Sequence, residues 1–137
     1  MMAVKDDDHI NVMPVATATT RVLRMRVDMK PWSDNRVRQA LKLCQNREKI
    51  LALAYQGEGL QGHDFHVYPK HPEYCKKPIP AYQPDKAKKL LAEAGYPEGK
   101  DANGRQLELT LVHSSRDPKL EFVQSQWQEN LGIKVNY

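Results

Sequence analysis

The sequence predicts an α/β fold with a mixed sheet, and three observations carry that prediction. Apolar residues recur at i, i+3, i+4 and i+7 behind strong helix-start signals, the stripe of an amphipathic helix. Elsewhere, short runs alternate apolar and polar residues, the period of a half-buried strand. The last third of the chain reads strand, helix, strand, the order of a parallel βαβ unit. An N-terminal antiparallel hairpin completes the mixed sheet.

The elements follow in order. From His9 to Asp28 the chain reads as extended: Ile10 and Val12 alternate with polar neighbours, and Thr17 to Thr20 forms a turn. Leu23, Met25 and Val27 then face one way and Arg24, Arg26 and Asp28 the other, which completes the hairpin. Pro31 ends the second strand. Ser33 or Asp34 caps a helix whose buried stripe is Val37, Ala40, Leu41 and Cys44. Asn46 caps a second helix, with Ile50, Leu51, Leu53, Ala54 and Tyr55 as its apolar side and Gly57 as its stop. A long irregular segment, Glu58 to Gln83, carries Pro69, Pro72, Pro78 and Pro80. Pro84 opens a third helix with Ala87, Leu90, Leu91 and Ala94 on one face, and Gly95 and Pro97 end it. Asn103-Gly104 marks a turn. Leu107, Leu109 and Leu111 form a strand. Ser114, Ser115 or Asp117 caps a helix with Leu120, Val123, Trp127 and Leu131 inward, and after Gly132 a last strand holds Ile133, Val135 and Tyr137.

Composition bounds the function. A chain of 137 residues, 40% hydrophobic and 28% charged, suits one folded domain. The net charge of +4 is spread along the sequence, which fits a solvated mixed surface and not a nucleic-acid footprint. No apolar run approaches the roughly 20 residues of a membrane helix. The N-terminus goes straight to Asp6-Asp7-Asp8 without the apolar segment of a signal peptide. The chain ends inside its last strand, which is expected of a piece of a longer protein. The spacing of the two cysteines, Cys44 and Cys75, leaves a disulfide open.

The string Pro31-Trp32-Ser33-Asp34-Asn35-Arg36-Val37-Arg38-Gln39-Ala40-Leu41 resembles a signature of the family 5 extracellular solute-binding proteins, roughly P-F-D-D-x-R-V-R-Q-A-L. These are the dipeptide-, oligopeptide- and nickel-binding components of bacterial ABC importers. Further segments resemble the family in the same order: Asn46 to Ile50 (D-R-E-x-I), Tyr55 to Gly59 (Y-x-G-x-G), Tyr82 to Pro97 (Y-D-P-E-K-A-K-x-L-L-A-E-A-G-Y-P), Leu107 to Pro118, and Leu131 to Val135. The resemblance implies a periplasmic-binding-protein-like lobe, with residues 1–137 a single lobe fragment of a two-lobe protein. It implies a periplasmic or lipid-anchored extracellular full-length protein, a peptide or related small solute, and a membrane permease as partner. It implies no cofactor and no covalent chemistry. Apolar surface bared by truncation could also pair copies of the chain.

The loop after the second helix is implied to approach the cleft between lobes. Gly62, His63, Asp64 and His66 are therefore expected ligand contacts. Arg26, with Arg24, could meet a ligand carboxylate, since guanidinium pairs with carboxylates through two hydrogen bonds. The residues alone leave alternatives open. His63, His66, His71 and Cys75 have the side-chain types of a zinc site or a thiol enzyme. A standalone interaction domain would need no ligand. Surface histidines and an ordinary polar edge explain the same residues without any site.

Overall fold

The computed structural model describes residues 8–13, 15, 17, 19–67, 69–113 and 118–137, without the side chains of residues 118 and 119. Along them run α1 (Asn35–Leu43), α2 (Arg47–Tyr55), α3 (Pro84–Glu93), β1 (Glu108–Thr110), α4 (Pro118–Leu131) and β2 (Lys134–Asn136).

Asp34 is the residue that caps α1: its carboxylate accepts the Arg36 N–H at 2.8 Å. The Arg36 guanidinium holds the same carboxylate at 2.6 Å and donates to the Glu93 carbonyl at the end of α3, also at 2.6 Å. That guanidinium, then the capped N–H, keeps the Asp34 carboxyl below the usual carboxylate range. At its other end α1 meets the start of α3, where the Leu43 carbonyl accepts the Gln83 N–H at 2.9 Å. The two helices therefore lie antiparallel, and the predicted stripe of Val37, Ala40, Leu41 and Cys44 is fully buried between them and α4. Trp127 of α4 is also buried, and its indole N–H donates to the Leu41 carbonyl at 2.9 Å.

β1 and β2 pair in parallel, Leu109 opposite Val135, with α4 between them in sequence. Leu107, Leu109, Ile133 and Val135 join Val123 and Leu131 in the same core. Two glycines set how tightly this end closes. The turn Pro97–Gly99 crosses the link from α4 to β2, and Gly99 and Gly132 both have positive φ, +75° and +66°. A Cβ on Gly99 would lie 2.5 Å from the Gly132 carbonyl, and one on Gly132 would lie 2.4 Å from the Glu98 carbonyl oxygen. Only glycine allows backbone to approach backbone so closely.

Three expectations are corrected. The described residues between His9 and Asp28 contain no strand, so the N-terminal hairpin is absent there; Ala18 of its turn lies outside the described residues. The reason is burial. Ile10, Val12, Met13 and Val15 are between 36% and 78% exposed, and only Leu23 and Met25 reach the core. An isolated two-stranded ribbon with no buried face is marginal in water. Second, α2 buries none of its residues, and Leu53 is 60% exposed. Third, α2 ends at Tyr55, two residues before Gly57: Gln56 takes the left-handed conformation at φ 55°, and Gly57 follows at φ 78°. The predicted caps Ser114, Ser115 and Asp117 lie outside the described residues.

The glycine crossing makes a direct prediction. Gly132→Ala combines left-handed strain with a backbone collision and should cost at least about 3 kcal/mol in urea unfolding. Gly57→Ala, with positive φ but open space around it, should cost about 1 kcal/mol. Equal losses would mean that the close crossing does not limit the fold.

Candidate functional site

The segment from Gln45 to Tyr82 leaves the core after α1 and rejoins it at α3, and its two ends are tied by the hydrogen bond from the Gln83 N–H to the Leu43 carbonyl. No described residue along it is buried. Apolar packing against the core is slight, with Ile50 partly buried there, and polar contacts do most to hold α2 and its loop in place. The Asn46 side chain caps α2 at the Lys49 N–H, 3.0 Å, while its own N–H donates to Gln126 Oε1 of α4 at 2.8 Å.

Asp64 is the hub of the loop. One carboxylate oxygen accepts from Arg47 at 2.8 Å and the other from Lys42 Nζ at 2.9 Å. Arg47 also donates to the Pro80 carbonyl at 3.2 Å, so one side chain joins both limbs of the loop. His63 stacks on Phe65, with ring centroids 4.9 Å apart, and its Nε2 lies 3.0 Å from the Tyr74 hydroxyl. Gly62 and His66 are exposed, and the His66 carbonyl accepts from Thr20 Oγ1 at 3.4 Å. The structure thus brings Gly62, His63, Asp64 and His66 into one short stretch, with the side chains of His63 and Asp64 engaged internally. Arg26 stands apart: it pairs with Asp28 at 2.6 Å on an exposed surface, and that pairing raises the arginine's pKa and lowers the aspartate's.

Residue types alone do not mark Arg47, Lys42 and Phe65 as parts of this site. Arg47 did carry a signal. A cation in the first turn of a helix opposes the helix dipole, so its presence there points to a contact elsewhere.

Among the described residues, no three His, Cys, Asp or Glu side chains converge closely enough to hold a metal ion. His63, His66, His71 and Cys75 therefore do not assemble the zinc-type cluster that their types allow, because the His63 ring faces Tyr74 and Phe65 while His66 and Cys75 face solvent. Both thiols are free, Cys44 buried and Cys75 exposed. Burial pushes the Cys44 thiol up to about 11 against a smaller opposing effect of Lys88, the reverse of an activated nucleophile. Two clefts open to solvent. One of about 390 Å³ borders Lys30, Asp34 and Tyr96, and one of about 220 Å³ borders Arg47, Gln61, Ile79 and Tyr82. Among the described residues no helix is long and apolar enough to cross a membrane.

The family model described as bacterial extracellular solute-binding proteins, family 5 Middle, matches residues 1–137. The chain is 32% identical over 134 residues to the glutathione-binding protein GsiB of Escherichia coli (strain K12), covering 96% of this chain and 25% of that protein. It is 30% identical over 133 residues to GsiB of Pectobacterium atrosepticum, with the same two coverages. A periplasmic oligopeptide-binding protein of Borrelia burgdorferi, OppAIV, superposes with a TM-score of 0.59 at 28% identity, over 80% of this chain and 22% of that one. NikZ of Campylobacter jejuni, solved with Ni(L-His), superposes with a TM-score of 0.75 at 24% identity, over 98% and 28%. The chain thus spans about a quarter of the length of these curated relatives.

Thiol titration at pH 8 checks this assignment of the cysteines. One thiol, Cys75, should react with Ellman's reagent in the folded chain, and Cys44 should follow only in guanidinium. Prompt reaction of both would contradict the buried, high-pKa Cys44, and reaction of neither until reductant is added would mean a disulfide.

Proposed function

This chain belongs to the bacterial extracellular solute-binding proteins of family 5, and on that premise we propose that it is part of one lobe of the solute receptor of an ABC importer. The observation that carries the proposal is the family match over residues 1–137. Residues 1–137 would form a single lobe fragment in a periplasmic or lipid-anchored receptor that closes on its solute and then docks on a membrane permease. The solute is a peptide or a related small molecule. Supporting that class are the glutathione-binding and oligopeptide-binding relatives.

The role is binding and not catalysis. The buried Cys44 thiol, raised to about 11, is unsuited to nucleophilic attack at neutral pH. Within this fragment the solute-facing stretch would be Gly62 to His66, on the segment that buries no described residue. The aromatic face of His63, Phe65 and Tyr74 suits contact with a peptide backbone or an apolar side chain. Arg26 would meet a solute carboxylate only by giving up Asp28. Exposed apolar side chains such as Leu60 and Val112 offer surface for the remainder of a receptor, or for a second copy of the chain, to cover.

Calorimetry with a mixture of di- and tripeptides tests the reading. The isolated chain should bind more weakly than about 1 mM, since half of a two-lobe cleft contributes only part of the contact, while the product of the complete reading frame should bind in the micromolar range. Micromolar binding by the isolated chain, or a reading frame without a second lobe, would overturn the proposal.

A further inference from the structure

We infer that Asp64 is a positioning residue, a latch that sets whether the Gln45–Tyr82 segment lies against the core or opens from it as a unit. Three observations converge. No described residue of the segment is buried, and Ile50 packs against the core only partly buried, so little apolar contact opposes its departure. Its two ends meet at a single neck, Leu43 and Gln83, so opening need not disturb α1 or α3. Asp64 then makes two different bonds. Its contact with Arg47 lies within the segment, and its contact with Lys42 crosses to α1 of the core.

The two bonds divide the work. Arg47, with its side chain only 11% exposed and also bound to the Pro80 carbonyl, gives the loop its internal shape. Lys42 fastens that shaped loop to the core through a contact one-third exposed on both sides. A pair so exposed is weak and sensitive to salt. Neutral hydrogen bonds also cross the boundary: Asn46 N–H to Gln126, Tyr82 to Asn130 at 3.3 Å, and Thr20 to the His66 carbonyl. Lys42–Asp64 is thus a charged, breakable fastening of a segment that carries the rings of His63, Phe65 and Tyr74. The latch follows from the geometry of this chain; that its rings face a solute rests on the proposed function.

Amide hydrogen exchange on the 137-residue chain, without ligand, tests the latch independently of any transport role. In the wild type, the amides of Ile50 to Tyr55 and of Tyr74 should exchange through a common opening, faster than those of α1, α3 and α4. Lys42→Gln should speed that group by about two- to five-fold and leave the core amides unchanged, as expected for loss of one partly exposed pair. Added salt at 0.5 M should reproduce the effect in the wild type and add little to Lys42→Gln. Asp64→Asn should speed the group further, and Asp64→Glu should restore most of the protection. Three results would overturn the latch: exchange of the segment in step with the core, an equal rise in α3 and α4, or no response to either substitution.

Discussion

The C-terminal turn of α1 is the point on which the rest of the structure depends. A helix ends with carbonyls that have no partner within it. Here two of those carbonyls are satisfied from distant parts of the chain, while Ala40 and Lys42 accept from the local Cys44 and Gln45 N–H groups. Leu41 accepts the Trp127 indole N–H from α4, and Leu43 accepts the Gln83 N–H at the head of α3. Both donors can reach only because Val37, Ala40, Leu41 and Cys44 pack without solvent against the same neighbours. Burial supplies the attraction, which is non-directional, and the two hydrogen bonds fix where α3 and α4 sit along α1.

The same turn divides the chain into two kinds of structure. On one side the α1, α3, α4 and β1–β2 assembly is held by apolar burial and by the glycine crossing at Gly99 and Gly132. On the other side α2 and its loop bury no described residue and are held by charge and hydrogen bonds, with Ile50 packed partly buried against the core. Segments with few buried apolar contacts open at lower free energy than the core. A binding surface placed there can adjust to a solute without repacking the scaffold.

Much of the core was legible in the sequence because its signals are local. The α1 stripe and its cap lie within a dozen residues, and geometry had only to choose Asp34 over Ser33. Gln83 at the head of α3 makes no side-chain cap, and Pro84 alone marks that start in the sequence. Trp127 reads as core from its stripe and is core. The hairpin failed because alternation shows which residues could share a face, not whether anything is present to cover it; Ile10, Val12 and Val15 find no cover. At the candidate site, residue types drew attention to His63 and Asp64 but could not show what they touch. Asp64 meets Lys42 and Arg47, 22 and 17 positions away in sequence, contacts that have no local periodicity. The histidines and Cys75 looked like a metal set because composition ignores direction, and the His63 ring points at Tyr74 instead.

The apolar core and the proposed solute-facing stretch are therefore distinct parts of this chain, and the transport reading would put solute against the latter. The most direct test is a crystal structure of the complete reading-frame product with a peptide bound. The account predicts an unchanged α1–α3–α4 core and a peptide in a cleft between two lobes, with atoms within about 4 Å of residues 62–66. A peptide seated against the α1–α3–α4 core, or held with the Gln45–Tyr82 segment remote from it, would contradict the account.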